Sequence, residues 1–280
     1  MTSNNSLIDR RTALRTFVIG ATVGVSGCAA DDGPAGPGTE SRTAQNRASA
    51  GPFQAVGVDG TTLVVKLAAE TAVEQVNLIK PNGELWGTRD VAAGAKQVSF
   101  EFRTAYTPGE YDVVGVDGEE TVAETSLEIR PELEIREVGL YRNHPDKPWE
   151  EVYGESETNR LVNGQAFVTV ENTGTGPETV TELVFSGDVP GPTEDPWSNG
   201  MQRTDRALIP AGQTIELYSS SAPFGSKSPD GMGCSPDGNN GQFTVVLETA
   251  VKSSNTTQTF DVQYTSSTEM TDCDVTVTEV

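Results

Sequence analysis

An all-β fold, built as two tandem β-sandwiches behind an export signal and a tether, is what the sequence predicts, on three observations. Apolar residues recur with period two. Leu63, Val65 and Leu67 alternate with Val64, Lys66 and Ala68, and Val98, Phe100 and Phe102 alternate with Ser99, Glu101 and Arg103, as in strands with one face buried. Turn signals separate these runs at a spacing of roughly 8–12 residues, which suits sandwiches of short strands. Past residue 52 no i, i+3, i+4, i+7 apolar stripe occurs, so no amphipathic helix is expected.

The chain opens on a stretch of different character. Arg10, Arg11 and Arg15 precede nine mostly apolar residues, 17–25, and then Ser26, Gly27 and Cys28. A basic zone, an apolar zone and small residues in that order form an export signal, and the apolar run is far short of the ~20 residues that cross a bilayer as a helix. Paired arginines ahead of the apolar run mark the twin-arginine form. Residues 1–27 resemble the Tat lipoprotein leaders of halophilic archaea. That resemblance implies that Cys28 becomes the lipidated first residue of a chain anchored to the outer face of the cell membrane. Residues 28–52 are Asp, Gly, Pro, Ala, Ser, Thr and Arg without apolar periodicity, a flexible tether with nothing to bury.

Residues 53–130 carry seven expected strands. Pro81-Asn82-Gly83-Glu84 lies between the runs 76–79 and 85–91, and Asn-Gly is a strong hairpin signal. Thr107-Pro108-Gly109-Glu110-Tyr111 leads into 113–116, and Asp117-Gly118 turns into 122–129. The Pro108-Gly109-Glu110-Tyr111 step resembles the turn and tyrosine that begin a late strand in many immunoglobulin-like surface domains, which implies an immunoglobulin-like sandwich here. A second unit, 131–280, follows Arg130-Pro131 without a flexible linker. Its strands start at Leu133 and Ile135, Ala166–Val170, 180–185, 243–247, 260–264 and 275–277. The passage Ala166 to Tyr264, with Asn172-Thr173-Gly174-Thr175-Gly176-Pro177 and Ile209-Pro210-Ala211-Gly212-Gln213-Thr214, is similar to the adhesion-related CARDB-type immunoglobulin-like domains of prokaryotic surface proteins.

Strand parity places the long loops of this second unit. If the strand at Leu133 runs up, the loops 142–163, 186–205 and 218–241 all fall at the top, provided that Pro210-Ala211-Gly212 reverses the chain. The strand ending near Thr265 arrives at the same end, which sets Cys273 beside the loop holding Cys234. With Cys28 assigned to the leader, Cys234 and Cys273 are an even pair in an exported, oxidising setting, and a disulfide between them is expected.

Composition sets bounds on function. The chain has 19 Lys+Arg against 41 Asp+Glu, and removing residues 1–27 (Arg10, Arg11, Arg15 and Asp9) leaves 16 against 40, a net charge of −24. Such a surface excludes nucleic acid as a partner, because phosphates require basic groups, and disfavours adhesion to anionic lipid head groups. Acids interleaved with apolar strand residues, and few lysines, resemble the surfaces of halophile proteins. In molar salt the screening length is ~3 Å, and the self-repulsion of such a surface largely disappears.

Catalytic chemistry finds little support. His144 is the single histidine, which excludes His-rich copper and zinc sites, and its polar loop suggests an exposed side chain rather than a general base. No strand-to-helix phosphate loop is present, and carboxylates that meet by chance among so many acids do not define a hydrolase. Trp149, Tyr153, Trp197 and Phe224 lie in the loops assigned to one end and are candidate binding residues, although packing of their own loops explains them as well. Asp230 and Asp237 are weak Ca²⁺ candidates, and no other cofactor is expected. Asn255-Thr256-Thr257 is a glycosylation sequon. The reading is a lipid-anchored surface protein for binding or structure, without catalysis, with the membrane through its lipid, and envelope proteins or glycans, as partners. An accessory subunit presenting a ligand to a membrane transporter or enzyme complex is the alternative, and a carboxylate hydrolase a weaker one.

The charge generates the first prediction. The unfolding midpoint of the exported chain rises by several degrees between dilute buffer and molar KCl, measured by circular dichroism. A midpoint that does not move overturns the reading of its surface as salt-adapted.

Overall fold

The computed structural model describes residues 47–48, 51–102, 106–146, 163–192, 198–225, 232–251, 255–267 and 273–280. Residues 41–280 form one compact unit. The strands are β1 (Arg47–Ala48), β2 (Phe53–Asp59), β3 (Thr62–Leu67), β4 (Gln75–Ile79), β5 (Leu85–Asp90), β6 (Gln97–Glu101), β7 (Gly109–Asp117) and β8 (Glu120–Ile129). They continue with β9 (Leu133–Leu140), β10 (Ala166–Asn172), β11 (Glu178–Gly187), β12 (Ala207–Ile209), β13 (Thr214–Tyr218), β14 (Asn239–Thr249), β15 (Thr256–Tyr264) and β16 (Val275–Glu279). The all-β expectation holds: among the described residues the one helical element with its own bounds is a 3₁₀ turn, Tyr141–Asn143.

Two layered pairs of sheets result. Sheets β1-β2-β3-β6 and β5-β4-β7-β8 enclose a core that includes Phe53, Leu63, Phe100, Leu78 and Tyr111. Sheets β13-β10-β9 and β12-β11-β14-β15-β16 enclose a second core that includes Val168, Val170, Leu183, Phe243 and Val262. Period-two alternation is the cause, since it gives each strand one apolar face to bury, as in the buried–exposed pattern of β6. Each sheet thereby exposes its polar residues on the other face.

Two local signals behave as their chemistry requires. Asn82-Gly83 closes the β4–β5 hairpin, with the Asn82 side chain accepting from the Glu84 N–H at 3.1 Å. Tyr111 is fully buried, and its hydroxyl donates to the Thr107 carbonyl at 2.9 Å, the back-bond that pins the chain as it starts a late sandwich strand. Burial raises the Tyr111 phenol above its ordinary pKa, and the bond to Thr107 partly offsets that. One expectation needs correcting. Arg47–Ala48, assigned to the tether, instead pairs with Val56 and Ala55 of β2, which blunts an otherwise bare sheet edge.

The joint between the two cores forms where Asn172-Thr173-Gly174-Thr175-Gly176-Pro177 wraps the β8–β9 connection. Backbone N–H groups of Thr175 and Gly176 donate to the Arg130 carbonyl at 2.8 and 2.9 Å, and that of Thr173 to Glu132 at 2.8 Å. The Asn172 side chain is fully buried and uses its whole bonding capacity. Its Nδ2 donates to the carbonyls of Gly176 (2.9 Å) and Ile209 (3.0 Å), while Oδ1 accepts from the N–H groups of Glu132 (3.2 Å) and Gly174 (3.0 Å). The glycines of this motif are there because of close approach. A Cβ on Gly174 would sit 2.4 Å from the Glu132 nitrogen, and one on Gly176 would sit 2.3 Å from the Tyr106 hydroxyl. Tyr106, from the first core, donates that hydroxyl to the Pro177 carbonyl at 2.9 Å, and burial is the main reason its phenol titrates well above the ordinary range. Gly60 of the β2–β3 turn bridges to Ala211, and Ala211 and Val251 pack into the first core.

These contacts make Asn172 a polar position on which the fold depends. Asn172→Ala leaves two carbonyls and two N–H groups without that partner, and is expected to cost about 3 kcal/mol or more in denaturant unfolding in molar salt. Thr244→Ala, on an exposed sheet face, stays within ~0.5 kcal/mol. Equal effects at the two positions contradict the joint described here.

Candidate binding end of the second sandwich

Strand registers fix which loops share an end. Leu140 pairs with Ala166, Phe167 with Tyr218, Gly187 with Phe243, and Asn239 with Tyr264, which in turn pairs with Val275. The opposite ends, Leu133 with Asn172 and Glu178 with Ile209, lie at the joint. β12 pairs with β11 and β13 with β10, in opposite sheets. Pro210-Ala211-Gly212 therefore reverses the chain, with the Gln213 N–H donating to the Pro210 carbonyl at 3.2 Å. The loops after β9, β11 and β13 all leave from the end facing away from the first sandwich.

Cys234 and Cys273 are disulfide-bonded at that end, with Cα atoms 5.9 Å apart across 39 positions of sequence. Both are buried. Supporting bonds surround them: Ser267 N–H donates to the Ser235 carbonyl at 2.9 Å, Gly233 N–H to Asn239 Oδ1 at 3.2 Å, and the Arg142 guanidinium to the Cys273 carbonyl. Burial lowers the Arg142 pKa, and Asp274 acts in the other direction. The approach to β16 is thus held by a covalent bond at Cys273 and by the Arg142 cation on the carbonyl of that residue.

Two side chains stand elsewhere than the sequence suggests. Phe224, a candidate binding residue, is fully buried in the second core, with its ring 5.4 Å from Phe243 and 6.2 Å from Phe185. The Phe224 N–H donates to the Gly164 carbonyl at 2.9 Å, so it packs its loop down and does not face a ligand. The reason is volume: a large apolar side chain one turn past β13 fills the open mouth between the sheets. His144, expected to be exposed, is only 5% exposed. Its ring stands edge-on to Phe167 at 4.8 Å and to Tyr218 at 6.2 Å.

The bonds of His144 decide its chemistry. Nδ1 accepts the Asp146 N–H at 3.2 Å, which leaves Nε2–H to donate to Glu216 Oε1 at 2.8 Å. Tyr218 donates its hydroxyl to the other oxygen, Oε2, at 2.7 Å. Burial first, and then Glu216, raises the Tyr218 phenol above its ordinary pKa. Neither ring nitrogen is left to take a proton from a substrate, so the trio fastens the start of the long loop onto the outer face of β10 and β13. Sequence reasoning missed it. The available signal was Glu216 and Tyr218 two apart on one strand, opposite Phe167 in the neighbouring strand.

The other sequence candidates divide by position. Asp237 is exposed in a turn that Gly238 closes by donating to the Ser235 carbonyl at 3.0 Å. Asn255 is exposed just before β15. Arg10, Arg11, Cys28, Trp149, Tyr153, Trp197 and Asp230 lie outside the described residues. Among the described residues no group of three or more His, Cys, Asp or Glu gathers to hold a metal ion, and no helix is long and apolar enough to cross a membrane. A shallow groove of about 470 Å³ lies on the outer face of β14, β15 and β16, lined by Asn240, Gln242, Asp261, Gln263, Thr276 and Thr278. Its amides and hydroxyls can exchange hydrogen bonds with a polar ligand, but it lacks the apolar wall of an enclosed pocket.

No family model matches the chain, and no curated protein matches it. Solved structures that it resembles include a β-glucuronidase from glycoside hydrolase family 2 (14% identity, 73% of this chain, 19% of that chain, TM-score 0.23). Others are a two-domain fibronectin type-III segment from chicken tenascin (10% identity, 80% and 97%, TM-score 0.25) and the human OSCAR ligand-binding domain (12% identity, 80% and 92%, TM-score 0.22). The chain spans 19–24% of the length of the first four glycoside hydrolases that it matches. At these TM-scores the likenesses carry no argument about ligand or activity.

The structural role of Phe224 is testable. Phe224→Ala is expected to lower stability by about 3–5 kcal/mol, as for other buried aromatics. An unchanged unfolding midpoint returns Phe224 to the ligand-facing surface.

Proposed function

We propose that the protein is an exported, lipid-anchored surface protein of a halophilic archaeon whose second sandwich presents its loop-bearing end for binding or for envelope assembly, without turnover. The observation that carries the reading is the Cys234–Cys273 bond at the end remote from the joint. Disulfides persist in oxidising compartments outside the cytosol, which agrees with the twin-arginine leader and with Cys28 as the lipid attachment point. Such a bond also restrains the loop between β13 and β14. A pre-ordered loop loses less entropy when it meets a partner. An all-β pair of sandwiches fits a binding or structural role, and the sole histidine has both nitrogens engaged within the fold. The resemblance of the second unit to CARDB-type domains favours adhesion over service as a transporter subunit.

Cys28→Ser releases the protein from the membrane fraction into the medium, and Arg10→Lys with Arg11→Lys holds it in the cytoplasm. Persistence of Cys28→Ser in the detergent phase overturns the lipid anchor. For the partner, the full chain captured on carbohydrate arrays identifies a glycan adhesin, whereas capture of defined envelope proteins from native membranes identifies an assembly protein. Failure of both removes the binding role and leaves the structural one.

A further inference from the structure

We propose that Asn255 is the acceptor of an N-linked glycan, set beside the joint and away from the loop-bearing end. The inference rests on the export reading above, because the glycan donor and its transferase work outside the cytosol.

Accessibility is the first requirement, and the sequon meets it. Asn255 and Thr257 are exposed, while Thr256 between them is half-buried. In extended chain, residues two apart stand on one face. The alternation of β15, with Phe260, Val262 and Tyr264 inward, sets the odd-numbered residues outward. The Asn255 amide and the Thr257 hydroxyl therefore project together from the outer face of the sheet. No hydrogen bond within the described residues engages either group. A transferase can reach both without unfolding the strand.

The edge of the sheet is open at the same place. β16 pairs with β15 from Tyr264 only as far as Phe260, which faces Glu279. Thr256 and Thr257 consequently pair with β14 alone, opposite Leu247 and Val246. Their other flank carries no strand among the described residues, so an enzyme can approach from the side as well as from above. A bulky hydrophilic substituent there also covers a sheet edge, a place where chains otherwise pair and aggregate.

The chemistry is a substitution at the sugar. The Asn255 Nδ2 attacks the anomeric carbon of an oligosaccharide carried on a lipid phosphate. The new N–C bond replaces the C–O bond to phosphate, the lipid phosphate leaves with the electron pair, and a base of the transferase takes the amide proton. No oxidant or reductant is needed. The position has a structural consequence. Val251, four residues earlier, packs into the first core, and its N–H donates to the buried Glu178 carboxylate at 2.9 Å. The glycan would thus flank the joint while leaving the Cys234–Cys273 end uncovered.

The test uses the full chain exported from a host that N-glycosylates its surface proteins, with one such protein followed in the same culture as the positive control. No Lys or Arg follows Lys252, so trypsin, after reduction, yields peptide 253–280 with Asn255 near its start. The wild-type peptide is expected to carry a sugar mass on Asn255. Asn255→Gln and Thr257→Ala abolish it, and Thr257→Ser retains it. Exported protein with unmodified Asn255, or a sugar mass that persists in Asn255→Gln, overturns the proposal and leaves export standing. Protein found solely in the cytoplasm overturns export and the glycan together.

Discussion

The arrangement of the whole molecule depends on one buried amide. Asn172 sits at the end of β10 with no exposed surface, and a primary amide in that position must bond every donor and acceptor it has or destabilise the fold. It does so by holding three separate pieces of backbone: the start of the second sandwich at Glu132, its own turn at Gly174 and Gly176, and the end of β12 at Ile209. Each of those pieces touches the first sandwich or the link to it. The turn sits over Arg130 and Tyr106, and β12 runs on into Ala211, which bridges Gly60. Two sandwiches joined by three residues, Arg130 to Glu132, would otherwise turn on their link. Here the link is itself wrapped by the second sandwich.

A fixed joint gives the molecule two unlike poles in its second half. At the joint the connections are short, and the carboxylate of Glu178, though buried, accepts N–H groups from Thr179 and Val251. At the other pole the connections are long, and a closed loop of about 40 residues restricts the unfolded chain by roughly 4 kcal/mol on the loop-entropy model. Evolution places variable, partner-facing segments on loops because a rigid scaffold can hold them without depending on their sequence. The disulfide, the guanidinium of Arg142 on the Cys273 carbonyl, and the His144–Glu216–Tyr218 trio all act at this pole. They add to the backbone bonds that hold the described ends of these loops, such as Gly191 to Pro223 and Phe224 to Gly164.

Much of this was legible in the residues, for identifiable reasons. Period-two alternation reports the sheet faces directly, so the strands from Phe53 to Val277 stand close to where the pattern puts them. Parity is a counting argument, and it needed only the reversal at Pro210-Ala211-Gly212 to bring Cys234 to Cys273. What was not legible was the destination of single side chains in loops. Phe224 looks like an exposed loop aromatic until the gap between Phe185 and Phe243 is known. His144 looks solvated until Phe167, Tyr218 and Glu216 are known to come together across β10 and β13, from positions far apart in sequence. The motif at Asn172 carried a resemblance to a domain family, but its physical reason (two glycines that admit a neighbouring backbone or a tyrosine hydroxyl) exists only in three dimensions.

The joint and the surface also differ in how they meet salt. Ion pairs among the described residues are mostly exposed, such as Arg136 with Glu171 at 2.6 Å and Lys80 with Glu84 at 3.0 Å. Exposed pairs add little and are screened at high ionic strength. One such pair, Arg130 with Glu128, lies on the link itself, where it is exposed and contributes little. The joint is made chiefly of neutral hydrogen bonds from Asn172, Thr173, Thr175, Gly176 and Tyr106, of which Asn172, Gly176 and Tyr106 are buried. Such bonds do not weaken through charge screening, and molar salts that raise the cost of exposing apolar surface strengthen the packing around them. A chain with a strongly acidic surface therefore has reason to hold its two halves together this way. The salt that quiets repulsion across its surface leaves the contacts that orient its loop-bearing end intact.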